Sequence, residues 1–279
     1  DDTRVIQMKN REPIKDRFKD KVAIVTGGSS GIGRATVEEL CKEGARVAFT
    51  GISEIGLTTA KQLTDTGHDV LFCRGDMAIE LFCKDVVEQT IAKWGKVNYL
   101  VNNAFSFTAK GLESTKEDWD RVFQAGPIAY AVMAQEVVPS MKELGGGAIV
   151  NMSSISAFIA QPNRWTYNAA KGAVHTMTKC MALDLAPYGI RVNSVSPGWI
   201  WTREVDKAAM GDRAKWEPIW GQFHMLERCG EPVECAGPIL FLLSDDASFI
   251  TAADLAIDGG YQGLGSEGLG KASTFAGSQ

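Results

Sequence analysis

The chain has 279 residues, 45% of them hydrophobic and 23% charged, which suits one sizeable α/β domain with a full core. Its formal net charge of −5, with the signs interspersed, leaves no nucleic-acid footprint and no polybasic membrane patch. No apolar run approaches the ~18 residues of a membrane span, so neither nucleic acid nor a membrane is expected as a partner.

In chain order, Asp1 to Asp20 is charged and lacks periodicity, so it reads as an arm. Val22–Val25 is a short β-branched run of the kind that makes a buried parallel strand. It leads into Thr26-Gly27-Gly28-Ser29-Ser30-Gly31-Ile32-Gly33 and then Arg34–Leu40, spaced as an amphipathic helix. Strand, glycine loop and helix N-terminus form a pyrophosphate site, because glycine permits close backbone approach and the free helix N–H groups face the anion. Further strands are expected at Arg46–Thr50, Asp69–Cys73, Tyr99–Asn102, Ala148–Met152, Arg191–Ser196 and Asp254–Ile257, alternating with helices. That alternation predicts an α/β fold: a doubly wound parallel sheet of the Rossmann type, a single domain over residues 21–262 with helices on both faces. Residues 263–279, rich in Gly and Ser, read as a flexible or partner-packed tail.

Tyr167 and Lys171 stand at i and i+4, one turn apart on a helix face, and Ser154 lies 13 residues before the tyrosine. A phenol ordinarily titrates near ~10, and a nearby ammonium draws it toward working pH, as a general acid/base requires. Ser154 is placed to hydrogen-bond the oxygen of a carbonyl that becomes an alcohol. The six cysteines (Cys41, Cys73, Cys83, Cys180, Cys229 and Cys235) lack a C-x-x-C pair; most lie in apolar helix or strand patterns, so buried thiols of a reducing, cytoplasmic compartment are expected. His68, His175 and His224 show no metal-ligand spacing, so no metal is expected. His68 and His175 read as surface or turn residues, and His224 as one that could reach a substrate but more plainly does not.

An acid some 20 residues beyond the glycines normally accepts from the ribose of NAD. Here Gly51 stands at that place, and Arg34 is available to attract a 2′-phosphate, while Glu54 opposes it. The balance tips slightly toward NADP over NAD.

These motifs together resemble the short-chain dehydrogenase/reductase family over roughly Lys21 to Tyr261. The landmarks are Thr26-Gly27 to Gly33, Asp76, Asn102-Asn103-Ala104, Ser154, Tyr167 with Lys171, Pro197-Gly198 with Thr202, and Asp258-Gly259-Gly260. The resemblance implies that Tyr167 passes the proton, Ser154 orients the carbonyl, and Lys171 lowers the tyrosine pKa and binds the nicotinamide ribose. It implies dinucleotide contacts from Gly27, Ser29, Ser30, Gly31, Ile32, Gly33, Asp76, Met77, Asn103, Ala104, Tyr167, Lys171, Pro197, Gly198, Ile200 and Thr202. It also implies a homodimer or homotetramer built from the long helices around Trp119–Leu144 and Thr166–Tyr188. The implied activity is interconversion of a secondary alcohol and a ketone with NAD or NADP.

Three residues depart from the family pattern. Gly126, followed by Pro127, stands where the family usually places an Asn thought to hold the water linking the lysine to solvent. Phe105 stands where a Gly usually follows Asn102-Asn103-Ala104, and Ala252 replaces a Gly in the turn before the last strand. The first predicts slower proton transfer, relieved by Gly126→Asn. The second predicts a reshaped pocket, and the third a tolerated change. An alternative reading is a dinucleotide-binding protein with little or no turnover. A sugar-nucleotide epimerase or dehydratase is disfavoured, since only about 80 residues follow Pro197-Gly198, too few for a separate substrate domain. The substrate region is expected in a lid over residues 199–225, where Trp199, Trp201, Trp216, Trp220 and Phe223 either line a pocket or pack the lid; Arg164 and Trp165 adjoin it. Sugar, cyclic alcohol, steroid and small ketone all remain open.

Overall fold

A computed structural model describes residues 11–269. Residues 1–10 of the expected arm and 270–279 of the expected tail lie outside the described residues. The strands are β1 (Val22–Val25), β2 (Arg46–Gly51), β3 (Val70–Arg74), β4 (Tyr99–Asn102), β5 (Gly147–Met152), β6 (Ile190–Pro197) and β7 (Asp254–Ile257). All neighbours pair in parallel, in the order β3-β2-β1-β4-β5-β6-β7. Strands β1, β4 and β7 keep the expected bounds, and the other four shift or lengthen by a residue at one or both ends.

The sheet is buried on both faces, which is why its strands read as continuous apolar runs rather than alternating ones. Val25, Phe49 and Val150 face one way, against Val37 and Leu40 of α1 (Gly31–Lys42) and Ile239 and Leu240 of a later helix at Pro232–Leu243. Ile24, Leu100 and Ile149 face the other way, against Val86 and Met133. The strand order reverses between β1 and its two neighbours β2 and β4, which opens a crevice at the carboxyl ends of the strands.

Within the segment read as an arm, residues 11–20 are docked on the domain. Phe18 is fully buried, edge-on to Tyr99 at 5.6 Å between ring centroids. Glu43 is buried and accepts from Arg11, from Arg17 Nε at 2.6 Å and from the Ile14 amide at 3.0 Å; Arg11 also pairs with Glu39. Burial alone would raise the Glu43 carboxyl, but Ile14 N–H and the two guanidinium groups hold it below its ordinary value. The charges that made this segment look solvated are the ones that fasten it.

Helices α2 (Ile55–Asp65) and α3 (Glu80–Trp94) follow β2 and β3, and the helix expected after Trp119 is broken. Helix α4 (Lys116–Phe123) passes through a π-helical turn (Gln124–Ile128) into α5 (Ala129–Glu143), with Gly126 at a non-helical φ of −110° and ψ of −107°. Proline at 127 has no N–H to give the helix ladder, which accounts for the break at this point. Ala252 adopts φ +60°, a left-handed conformation costing a residue with a Cβ about 1 kcal/mol.

Candidate active site

The glycine loop is shaped by sterics. Gly27 and Gly31 have φ of +65° and +57°, and a Cβ on Gly33 would collide with the Gly27 carbonyl oxygen and the Asn103 amide. The loop is tied to the end of β4 through Thr26, whose Oγ1 accepts from the amides of Asn103 (2.9 Å) and Ala104 (3.0 Å). Asn103 Nδ2 donates back to the carbonyls of Thr26 and Gly27. Ser30 caps α1 without using its side chain, so the amides of Gly31, Ile32 and Gly33 open the helix toward the crevice. The Thr202 methyl lies 3.4 Å from where a Gly31 Cβ would stand, which brings the start of the lid over the loop. These residues fit a dinucleotide pyrophosphate: a backbone cradle that any side chain would fill, beside free helix amides.

Asp76 and Met77, two of the expected dinucleotide contacts, stand just past β3. Asp76 Oδ2 accepts from Arg121 at 2.6 Å and Oδ1 from the Ala78 amide, and these bonds hold the carboxyl low against the raising effect of its burial. Thr50 Oγ1 reaches Met77 Sδ at 3.3 Å. Ser29 Oγ fills the space a side chain at Gly51 would need, so the NAD-type acid is sterically excluded as well as missing. Arg34 is engaged by Glu38 and Gln62. Sequence reasoning missed Arg74, in register with Gly51, which donates to the Ile52 carbonyl at 3.3 Å and Glu54 at 3.0 Å. Its signal was its place at the end of β3, next to the loop that follows β2.

Ser154, Tyr167 and Lys171 are brought together and all are buried. Ser154 caps a short turn after β5, accepting from the Ser156 amide at 3.1 Å, and its hydroxyl draws the Tyr167 pKa down. Tyr167 and Lys171 lie on α6 (Trp165–Leu185), and Lys171 Nζ donates to the Met152 carbonyl at 2.8 Å. The ammonium was expected to draw the phenol toward neutral pH. Burial instead pushes Tyr167 up to about 12, against the pull of Arg164 and Ser154, and pushes Lys171 down to about 7. The geometry goes with this: Nζ donates to the Met152 carbonyl and lies 3.6 Å from the centroid of the Phe105 ring, nearer than the 5.7 Å to the Tyr167 ring. Phe107, also missed, stacks on Tyr167 at 5.9 Å, and Tyr130 buries an unpartnered hydroxyl one turn beyond Gly126. The aromatic run Phe105-Ser106-Phe107 straight after the β4 landmark was the available signal.

Past β6, Gly198 N–H donates to the Ile257 carbonyl at 3.0 Å, and Ile200 bridges to Gly230. The lid carries α7 (Arg203–Ala208), capped by Thr202, and α8 (Arg213–Gly221). Trp220 stacks on Trp199 at 4.9 Å and Trp216 at 5.2 Å and leans on Trp201 at 5.8 Å, so most of these rings pack the lid. Trp199 alone also meets Arg164, whose guanidinium lies 6.0 Å from its ring and 5.8 Å from that of Tyr167. His224 is buried; its Nε2 accepts from the Trp199 amide at 3.1 Å and Nδ1 faces the Gly221 carbonyl at 3.2 Å. It is a latch within the lid rather than a substrate residue. A cleft of about 310 Å³ between the lid and β7, lined by Trp199, His224 and Asp258, contains none of the three catalytic candidates.

The family described as enoyl-(acyl carrier protein) reductase matches residues 27–262. Cyclopentanol dehydrogenase of Comamonas testosteroni is 36% identical over 250 residues, 88% of this chain and 98% of that protein. An NADP-dependent (R)-specific alcohol dehydrogenase of Lentilactobacillus kefiri is 37% identical over 257 residues, 88% of this chain and 98% of that one. The crystal structure of levodione reductase superposes with a TM-score of 0.83 at 31% identity, covering 89% of this chain and all of that one. The chain belongs to the short-chain dehydrogenase/reductase family and is an NAD(P)-dependent oxidoreductase working between a secondary alcohol and a ketone.

Proposed function

We propose that Tyr167 is the general acid/base of this reaction, with Ser154 orienting the substrate oxygen and Lys171 holding the charge beside it. The observation that carries this is the buried cluster of the Ser154 hydroxyl, in the turn after β5, with the Tyr167 phenol and the Lys171 amine of α6. Bound NAD(P) supplies or accepts the hydride; the proton is the protein's task. In ketone reduction the Tyr167 hydroxyl gives its proton to the carbonyl oxygen, while Ser154 donates a hydrogen bond to the same oxygen. In alcohol oxidation the Tyr167 oxygen takes that proton back. Phe107, Trp199 and Arg164 border the approach to Tyr167 and wall the substrate.

The dinucleotide would lie across the loop from Gly27, Ser29 and Ser30 to Gly31, Ile32 and Gly33, with its adenosine end toward Asp76 and Met77. Its nicotinamide end would lie toward Asn103, Ala104, Pro197, Gly198, Ile200 and Thr202. NADP is preferred in this reading: no carboxylate stands at Gly51, and a 2′-phosphate would draw Arg74 from Glu54 as a charge-assisted partner. The name of the Lentilactobacillus relative supports the same preference. Assembly as a homodimer or homotetramer accords with Leu183 on α6 and Phe249 before β7, both exposed. Tyr167→Phe tests the central assignment: turnover should fall about 10²–10⁴-fold, while dinucleotide affinity stays within a few-fold. A variant keeping more than about a tenth of the activity would place the acid elsewhere.

A further inference from the structure

Two of the residues that break the family pattern touch each other. A Cβ on Gly126 would stand 2.5 Å from Cε2 and 2.8 Å from Cζ of Phe105. Any side chain at 126 therefore competes with the Phe105 ring for one volume. The ring is held there from several sides, edge-on to Tyr167 at 5.5 Å and to Tyr130 at 6.1 Å, and it presents its face to Lys171 Nζ at 3.6 Å.

An ammonium has three donors and no acceptor. At Lys171 the Met152 carbonyl takes one of them, and among the described residues no carboxylate pairs with it. The Tyr167 ring on its own helix lies 5.7 Å from Nζ and the ring of Phe105, after β4, 3.6 Å; Tyr130 on α5 meets the Phe105 ring, while Ser154 and the Arg164 guanidinium act on Tyr167. The electron-rich face of an aromatic ring attracts a cation, most strongly where water is excluded. We propose that Phe105 is a positioning residue for the site lysine. Its ring face holds the Lys171 ammonium in a dry pocket, and residue 126 is glycine because the ring occupies the space its side chain would need. The two departures are then one feature, and the expectation that Gly126→Asn speeds proton transfer is reversed: the new amide displaces the ring.

Burial drives Lys171 toward the neutral amine, down to about 7, so the ring face opposes that drift where it matters, near neutral pH. The inference rests on the alcohol–ketone reading only for the lysine's task, and its test reads the lysine directly, in protein without cofactor or substrate. Pentafluorophenylalanine at 105 keeps the ring's shape and inverts its quadrupole. Carbon-13 NMR of labelled lysine, assigned with Lys171→Arg, should then show the Lys171 titration midpoint falling by about one unit, roughly ten-fold in its protonation constant. Phe105→Leu should move it the same way. In turnover assays kcat should lose its neutral-pH activity and KM should hold. For the shared volume, Gly126→Ala should lower the melting temperature in the parent and leave it nearly unchanged in a Phe105→Ala background. An unmoved midpoint in the fluorinated protein overturns the charge role, and equal cost of Gly126→Ala in both backgrounds overturns the shared volume. Neither result touches the assignment of Tyr167, which its own variant decides.

Discussion

Acid should loosen the lid before it unfolds the domain, and His224 sets the pH. Its Nε2 accepts from the Trp199 amide, so its Nδ1 must carry the proton toward the Gly221 carbonyl, and the ring is neutral in the folded state. Burial pulls its pKa below the ordinary 6.5, against weaker opposing pulls from Gly221 and Asp258. With the folded pKa depressed, the unfolded state binds the proton first. The stability His224 contributes is complete above 6.5 and is lost as pH falls toward the folded value. Each pH unit within that window removes at most about 1.4 kcal/mol. A protonated Nε2 would also set one donor against another at Trp199, leaving a buried N–H unpaired at about 1–3 kcal/mol. The buried Glu43 and the half-buried Glu234 are both held below their ordinary 4.5, so they stay charged over the pH range of the assay. The assay is amide hydrogen exchange at Trp199, with tryptophan fluorescence of the stacked lid rings, between pH 7.5 and 5.5, corrected for intrinsic exchange. Exchange and fluorescence should change together in the parent and stay flat in His224→Gln, whose amide oxygen accepts without titrating. The same pH slope in both proteins would refute the latch.

Arg17→Met leaves the buried Glu43 with Arg11 and one amide, and should cost about 1–3 kcal/mol in urea unfolding; an unchanged midpoint would mean that residues 11–20 contribute nothing. Because the Glu43 pKa is depressed, the stability it contributes is present above its ordinary 4.5 and lost as pH falls through the folded value, a loss that Glu43→Gln should abolish. Gly51→Asp, the obvious change toward NAD, should weaken both dinucleotides because its side chain runs into Ser29, and Ser29→Gly beside it should restore NAD binding. Fluorescence titration of each cofactor decides this, and tight NAD binding by Gly51→Asp alone would sink the steric account.

What the sequence shows and hides follows from the range of the interactions. The β-branched runs and the glycine loop are local signals, so the strands appear nearly at their true bounds, and even the break at Gly126-Pro127 is legible from a missing donor. The pairings of charges are not local. Arg17 reaches Glu43 across 26 positions, and Arg121 reaches Asp76 across 45, so a segment bound by buried ion pairs looks the same in sequence as a solvated arm. The same limit applies to Lys171. Its spacing from Tyr167 places both on one helical face, but the partners its Nζ meets, the Met152 carbonyl of β5 and the Phe105 ring after β4, come from distant parts of the chain. Phe105 and Gly126 are 21 positions apart and read as two independent departures. The fold brings them together: a Cβ at Gly126 would run into the Phe105 ring, whose face lies 3.6 Å from Lys171 Nζ.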